Sequence, residues 1–308
     1  MKTSVTLEDG TENSMSIPID LIIEILLRSL ARTKLLFACR RAFETLFLSS
    51  PQRQNPVDDE KSPPVVVSYH MKFSVKEAFI DSSCPVNGLI CLRYCRWYLD
   101  IMKETVLVIC NPGTGQSLPL PKVQHGGHSL FGPHDHLWRG ICINGVLYYD
   151  ATVSDHHLRQ SIMMMICFDV RSEEFRFINK PAYDGTLINY NGKLGLCSLG
   201  NAISCDRIRN MELWVLEDAG KQEWSKHTYL LPAMWQNIVG NTNLRFVGMT
   251  LTNEFVFQSM MGCMPFYLVY YNIERNTVKK VKLQGMEMSK NIHTFVDHVE
   301  DVTLMQII

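Results

Sequence analysis

The residues best suited to chemistry are histidines. His125, His128, His134 and His136 stand within one short stretch, and His156 with His157 widens the group. Imidazoles at such spacing can bind zinc or copper. The same stretch is rich in glycine, and a Gly/His-rich surface loop outweighs a metal centre. Cys91-x-x-x-Cys95 has half of a zinc-ligand pattern and no second half, so packed thiols are the expectation there. Gly113-Thr-Gly115 stops short of a dinucleotide loop and reads as a hairpin turn. Lys279, Lys280 and Lys282 form a small basic cluster, read as a solvated strand edge. The run Met163–Met165 reads as core filler, and Trp214 and Trp224, flanking one hairpin, are expected to pack between repeats. No catalytic residue and no cofactor is implied.

The elements that would hold these residues can be read from pattern. The chain has 308 residues, 46% apolar and 20% charged, which is ample for a core. Its net charge of -1 carries no general footprint for nucleic acid or an anionic membrane, and no apolar run approaches the ~20 residues of a membrane span. The N-terminal residues lack the apolar core of a signal peptide. Ten scattered cysteines, several inside apolar runs, read as buried thiols in a reducing compartment, cytoplasmic or nuclear.

Residues 1–15 are expected to be a disordered tail. After them, apolar residues at 19, 22, 23, 26, 27 and 30 recur at helical spacing, with Leu21 and Ile25 widening the stripe and Pro18 in the first turn. Residues 51–64 read as a polar, proline-rich linker. Beyond it, strand-length runs alternate with tight turns in two recurring forms. One is an Asn-Gly turn entering a strand, at Asn87, Asn144 and Asn191, with Asn253-Glu254 a degraded copy. The other is a strand, a polar turn and a return strand, anchored at Asn111, Asp169, Asp218 and Asn272. Those anchors lie 58, 49 and 54 residues apart. Periods near 50 residues built from antiparallel strands point to propeller blades over a generic sandwich. The expected fold is mainly β, a β-propeller-like repeat domain of about four units after a short α-helical segment.

Ile17-Pro18-x-Asp20-Leu21-Ile22-x-Glu24-Ile25-Leu26-x-Arg28 resembles the opening of an F-box. NPGTGQSLPLPKV, ICINGVLYY, ICFDVRSEEF, LRFVGMT, YYNIERNT and FVDHVEDVTLM resemble the propeller-type domain that accompanies the F-box in a large plant family. The resemblance implies residues 16–50 as a truncated F-box remnant and connector, and 65–308 as the F-box-associated domain. A weaker alignment places Leu35–Pro51 in a degenerate remainder of the box. The resemblance further implies a substrate-recognition subunit of an SCF ubiquitin ligase. A Skp-type adaptor and its cullin would be partners through Pro18, Leu21, Ile22, Ile25 and Leu26, and the propeller would hold an unknown substrate protein. Neither nucleic acid nor membrane is an expected partner. Two departures qualify this. Most of the second and third box helices are missing, so adaptor binding is expected to be weak or absent. The segment around His134–Trp138 joins pieces that the family separates by roughly one blade, so an incomplete propeller of reduced stability is expected. A stand-alone binding module or the product of a decayed gene copy is the alternative. An enzyme using the propeller's central mouth is a third reading, which no motif supports.

Overall fold

The computed structural model describes residues 33–41, 44–52, 65–74, 78–82, 84–98, 102–119, 136–155, 160–181, 185–199, 210–240, 242–260, 265–286 and 291–301. The helical residues Pro18, Leu21, Ile22, Ile25 and Leu26 lie outside them, as does residues 1–15.

Five antiparallel sheets succeed one another around an axis, each ordered from an inner to an outer strand. The first blade combines β1 (Lys34–Arg41), β2 (Glu44–Pro51) and β4 (Ser68–Ser74) with the last strand of the chain, β21 (Asn291–His298). The second contains β5 (Ala78–Ser82), β6 (Ile90–Tyr98), β7 (Met102–Asn111) and β8 (Gln116–Pro119). The third contains β9 (His136–Ile143), β10 (Val146–Asp155), β11 (Gln160–Asp169) and β12 (Glu174–Ile178). The fourth contains β13 (Thr186–Tyr190), β14 (Lys193–Ser198), β15 (Asn210–Asp218) and β16 (Glu223–Leu230). A five-residue helix, α1 (Trp235–Val239), leads to the fifth blade: β17 (Leu244–Met249), β18 (Glu254–Ser259), β19 (Phe266–Asn272) and β20 (Thr277–Gln284). The short β3 (Val65–Val66) adds a parallel strand to the edge of β20.

The recurring turns have the geometry their residues favour. Asn87, Asn144, Asn191 and Asn253 all have positive φ, between 48° and 59°. Asparagine tolerates that region better than other side chains, and in three copies glycine follows, also at positive φ. At the second kind of turn, the Asn111 carboxamide oxygen accepts from the N–H groups of Gly113 and Thr114. Asp169 accepts from Arg171 and Ser172, Asp218 from Lys221, and Asn272 from Arg275. Four residues after each anchor comes a positive φ, at Gly115, Glu173, Gln222 and Asn276. One device therefore closes four hairpins.

The count of about four units is corrected to five blades, and the start of the propeller moves from residue 65 to Lys34. Leu35–Cys39 is an apolar run buried on both faces of β1. Leu35, Phe37 and Cys39 pack on Val256, Leu268, Tyr270 and Leu283 of the fifth blade. Leu36 and Ala38 pack on Ile90, Leu92, Val108 and Cys110 of the second. Alternation between two neighbours is what a central strand does, so neither a connector nor a box remainder describes 34–51.

The first blade also closes the ring. β21 pairs with β1 from Lys34↔His298 to Arg40↔Asn291. Asp297, at φ 53°, takes a hydrogen bond from Gln52 Nε2 at 2.6 Å and one from the Leu251 N–H at 2.8 Å, while its own N–H donates to Gln52 Oε1. Three distant segments meet on that one residue. Beyond it, Asp301 lies so close to Gly88 that a Cβ there would sit 2.6 Å from the Asp301 backbone nitrogen, so only glycine fits this turn.

Buried clusters join the third blade to the fourth and the fourth to the fifth. Among the described residues no such cluster joins the second to the third. Cys91, Arg93, Leu107 and Ile109 are half-buried on one side, and Phe175 and Phe177 are exposed on the other.

Candidate functional site

A propeller's inner strands line its axis, so a site there is built from residues far apart in sequence. Three inner strands, β13, β17 and β21, enclose a cavity of about 100 Å³ together with Cys84. Thr186, Arg245, Gln258, His293 and Thr294 supply its polar wall, and Leu187, Phe246, Val247 and Phe295 its apolar one. Gln258 Nε2 donates to the Ile292 carbonyl at 2.8 Å, which ties β18 to β21 and fixes that amide. Thr294 is 8% exposed and its hydroxyl has no hydrogen-bond partner. No carboxylate stands among the described lining residues.

None of these polar residues was singled out by sequence reasoning. Arg245 sits in LRFVGMT, where it interrupts an otherwise apolar strand, whereas Thr294 sits in NIHTFVDH, a strand of mixed polarity in which it does not stand out. That interruption is the one signal that could have found Arg245.

A second polar group stands at the end of the closing strand. Lys34 Nζ lies 2.6 Å from Glu300 Oε1, and His70 Nε2 lies 2.6 Å from Ser49 Oγ and 3.4 Å from Glu300. His298 is buried beside them with neither ring nitrogen bonded. Burial pushes its pKa down to about 4, with Glu300 opposing and His70 and Lys34 reinforcing the shift. Burial also lowers the pKa of His70. These groups join β1, β2 and β4 to the segment after β21.

The other candidates fall as follows. His125, His128, His134, His156 and His157 lie outside the described residues, and His136 is the first residue of β9. Among the described residues no group of three or more His, Cys, Asp and Glu side chains is close enough to hold a metal ion. Met165 is fully buried, as core filler should be. Trp214 and Trp224 pack against the cluster between the third and fourth blades, and Lys226 lies over the Trp214 ring. Lys280 departs from the expected solvated edge: its ammonium donates to the Ile238 carbonyl at 3.2 Å and lies 4.3 Å from the Tyr267 ring centre. A cation there satisfies an exposed carbonyl of α1, which a short helix leaves without an intrahelical donor.

The thiols are held in unreactive form. Burial pushes Cys110 and Cys167 up to about 12, and raises Cys197 further and Cys91 less. The thiolate is the nucleophile, so such groups react slowly. Iodoacetamide at pH 8 should therefore leave Cys110, Cys167 and Cys197 unlabelled in native protein and label them in urea, as read by peptide mass mapping. Fast native labelling at all three would contradict the buried positions.

The F-box associated beta propeller domain model matches the chain over residues 34–132 and again over 128–299. The first match begins at β1, and the two overlap at residues 128–132. Three relatives come from Arabidopsis thaliana. At2g19630, whose name places it among F-box proteins, is 46% identical over 99% of this chain and 99% of its own. The F-box protein At5g65850 is 39% identical over 97% and 93%, and the F-box protein DOR is 38% identical over 96% and 95%. The alignment with At5g65850 runs to 382 positions against 308 residues here, so at least 74 of them face gaps in this chain.

Proposed function

The chain belongs to the plant F-box proteins that carry an F-box associated β-propeller domain, and on that basis we propose that it serves an SCF ubiquitin ligase as a substrate receptor with a weakened adaptor contact. The propeller holds a substrate protein, and transfer follows from proximity, so the chain needs no catalytic residue of its own. The observation that carries this reading is the near full-length similarity to F-box proteins together with a propeller that closes on itself. Buried free thiols suit a reducing compartment, which favours the cytoplasm or nucleus. No helix among the described residues is long and apolar enough to cross a membrane.

Adaptor docking falls to Pro18, Leu21, Ile22, Ile25 and Leu26, an apolar stripe suited to a groove. Between the F-box-like opening at Ile17 and β1 at Lys34 there are fewer residues than three helices of ~11 require. One helix buries too little surface for a stable complex. The full chain, mixed with a purified Skp-type adaptor, should retain at least tenfold less of it than a family member with a complete box. Ile22→Asp with Ile25→Asp should abolish the remainder. A stoichiometric complex surviving gel filtration would overturn the weakened contact. Affinity purification from plant tissue that returns neither adaptor nor cullin would overturn the ligase reading. The stand-alone binding module is the second reading, and the same start of the propeller at Lys34 is what favours it.

A further inference from the structure

Three of the asparagine turns carry the same reactive pair, Asn87-Gly88, Asn144-Gly145 and Asn191-Gly192. In such a pair the glycine backbone nitrogen can attack the asparagine Cγ, since no Cβ on the glycine shields that nitrogen. Asparagine is thermolabile for this reason. In sequence the three pairs are equivalent, and the fold makes them different. Gly88 is buried, and Asp301 closes off its turn, with a backbone nitrogen 2.6 Å from where a Cβ would stand. The Gly192 N–H donates to Asn189 Oδ1 at 2.8 Å, so the nitrogen that would attack Asn191 is already held. Asn144 and Gly145 are both exposed. The Gly145 carbonyl accepts from the Val170 N–H at 3.0 Å, but among the described residues no acceptor holds the Gly145 N–H. Nor does any described atom lie within 4 Å of a Cβ placed there.

Asn144 also carries a contact between blades. Its Nδ2 donates to the Gly192 carbonyl at 3.1 Å, 48 residues away, which ties the first turn of the third blade to that of the fourth. We propose that Asn144 is a site of spontaneous deamidation, and that the reaction cuts this tie. The Gly145 nitrogen forms a bond to Asn144 Cγ and gives its proton to hydroxide. The bond from Cγ to Nδ2 breaks, and Nδ2 takes a proton from water and leaves as ammonia. Water then opens the succinimide to aspartate or isoaspartate, so the net change is water in and ammonia out, with no oxidant or reductant. A carboxylate has no hydrogen to donate, and it faces the Gly192 carbonyl oxygen with a negative charge. The turn is closed by the Ile143↔Val146 pair and must open before the nitrogen reaches Cγ, so the folded chain reacts more slowly than the unfolded one. This inference is independent of the ligase reading.

The full-length chain is held at pH 8 and 37 °C, native in one arm and in guanidinium chloride in the other. Tryptic peptides containing Asn87, Asn144 and Asn191 are followed by mass spectrometry for the gain that exchange of NH2 for OH brings. In the native arm Asn144 is expected to convert at least tenfold faster than Asn87 and Asn191. In denaturant the three are expected to convert at similar rates, all faster than in the native arm. Asn144→Asp is expected to melt below fresh wild type and level with the aged protein. Asn191→Asp is the control, because its turn has the same positive φ, 51° against 52°, and it is expected to melt as wild type does. The site is overturned if Asn144 does not lead by that margin in the native arm, and its structural origin if the lead persists in denaturant. The loss of the tie is overturned if Asn144→Asp melts as wild type does, or if Asn191→Asp melts as low as Asn144→Asp, which would assign the effect to the turn alone.

Discussion

Phe37→Ala should destabilise the propeller by about 3–5 kcal/mol, the range for deleting a buried phenylalanine ring where the surroundings cannot collapse. Phe37 is fully buried. Its neighbours across the sheet are Leu48 on one side and Thr294 on the other, and its ring meets Phe266 of the fifth blade edge to face at 6.5 Å. The position lies on the blade that, among the described residues, pairs the first strand with the last. Elsewhere a weakened blade is still tethered by its hairpins. At β1–β21 only pairing and packing hold the ends together. A loss of that size is a large part of the 5–15 kcal/mol typical of a folded domain. Urea unfolding should show a lower midpoint, and a reduced slope if the closing blade opens ahead of the rest. Tyr69→Ala, on exposed β4, is the control and should change stability by less than about 0.5 kcal/mol. A change below about 1 kcal/mol at Phe37 would mean that closure contributes little.

That prediction falls on the part of the fold that was hardest to read in sequence. The second to fifth blades announced themselves because each carries an asparagine turn and an Asx-anchored hairpin, and those devices are local. Side-chain oxygens bonding backbone two or three residues on leave their mark in adjacent letters. The first blade has neither device. Its strands are joined by a long excursion through β3 and by a partner more than 200 residues away, and long-range pairing leaves no spacing to count. One sign was present, since Leu35–Cys39 is a five-residue apolar run without helical period. Such a run suits a strand buried on both faces, but alone it does not exclude a piece of helix.

The axial site was illegible for a related reason. Thr186, Arg245 and Thr294 become neighbours only because three inner strands converge, and inner strands belong to different blades. A polar residue inside an apolar strand is a weak signal by itself. The histidine group around residue 130, by contrast, was conspicuous in sequence because its members are adjacent, which is a property of composition and not of folding. The junction near His134–Trp138 was read through resemblance alone, from the order of its segments.

Mild acid should loosen the closing blade, with His298 the main cause. In the folded chain its pKa is pushed down to about 4 by burial, while an unfolded histidine titrates near 6.5. The unfolded state therefore binds more protons between those values, and stability rises with pH through that window. The contribution is fully present above pH ~6.5 and is lost as pH falls toward 4. One proton corresponds to about 1.4 kcal/mol per pH unit, so the full loss is on the order of 3 kcal/mol. His70, also lowered by burial, acts with the same sign. Asp297 acts against them. Burial raises its pKa, so the folded state gains a proton there first and is favoured at lower pH. The steepest dependence should accordingly lie in the upper part of the window, before Asp297 begins to compensate. Urea midpoints at pH 7.5, 6.5, 5.5 and 4.5 would trace it. His298→Leu separates the contribution from general acid effects, since an apolar side chain suits a site where neither ring nitrogen is bonded. The variant should match wild type near pH 7.5 and show a slope smaller by up to one proton below 6.5. Identical slopes in the two proteins would exclude His298 as the source. A stability that rises on acidification would mean that relief of the buried Asp297 charge outweighs both histidines, even though its hydrogen bonds from Gln52 and Leu251 favour the ionised form.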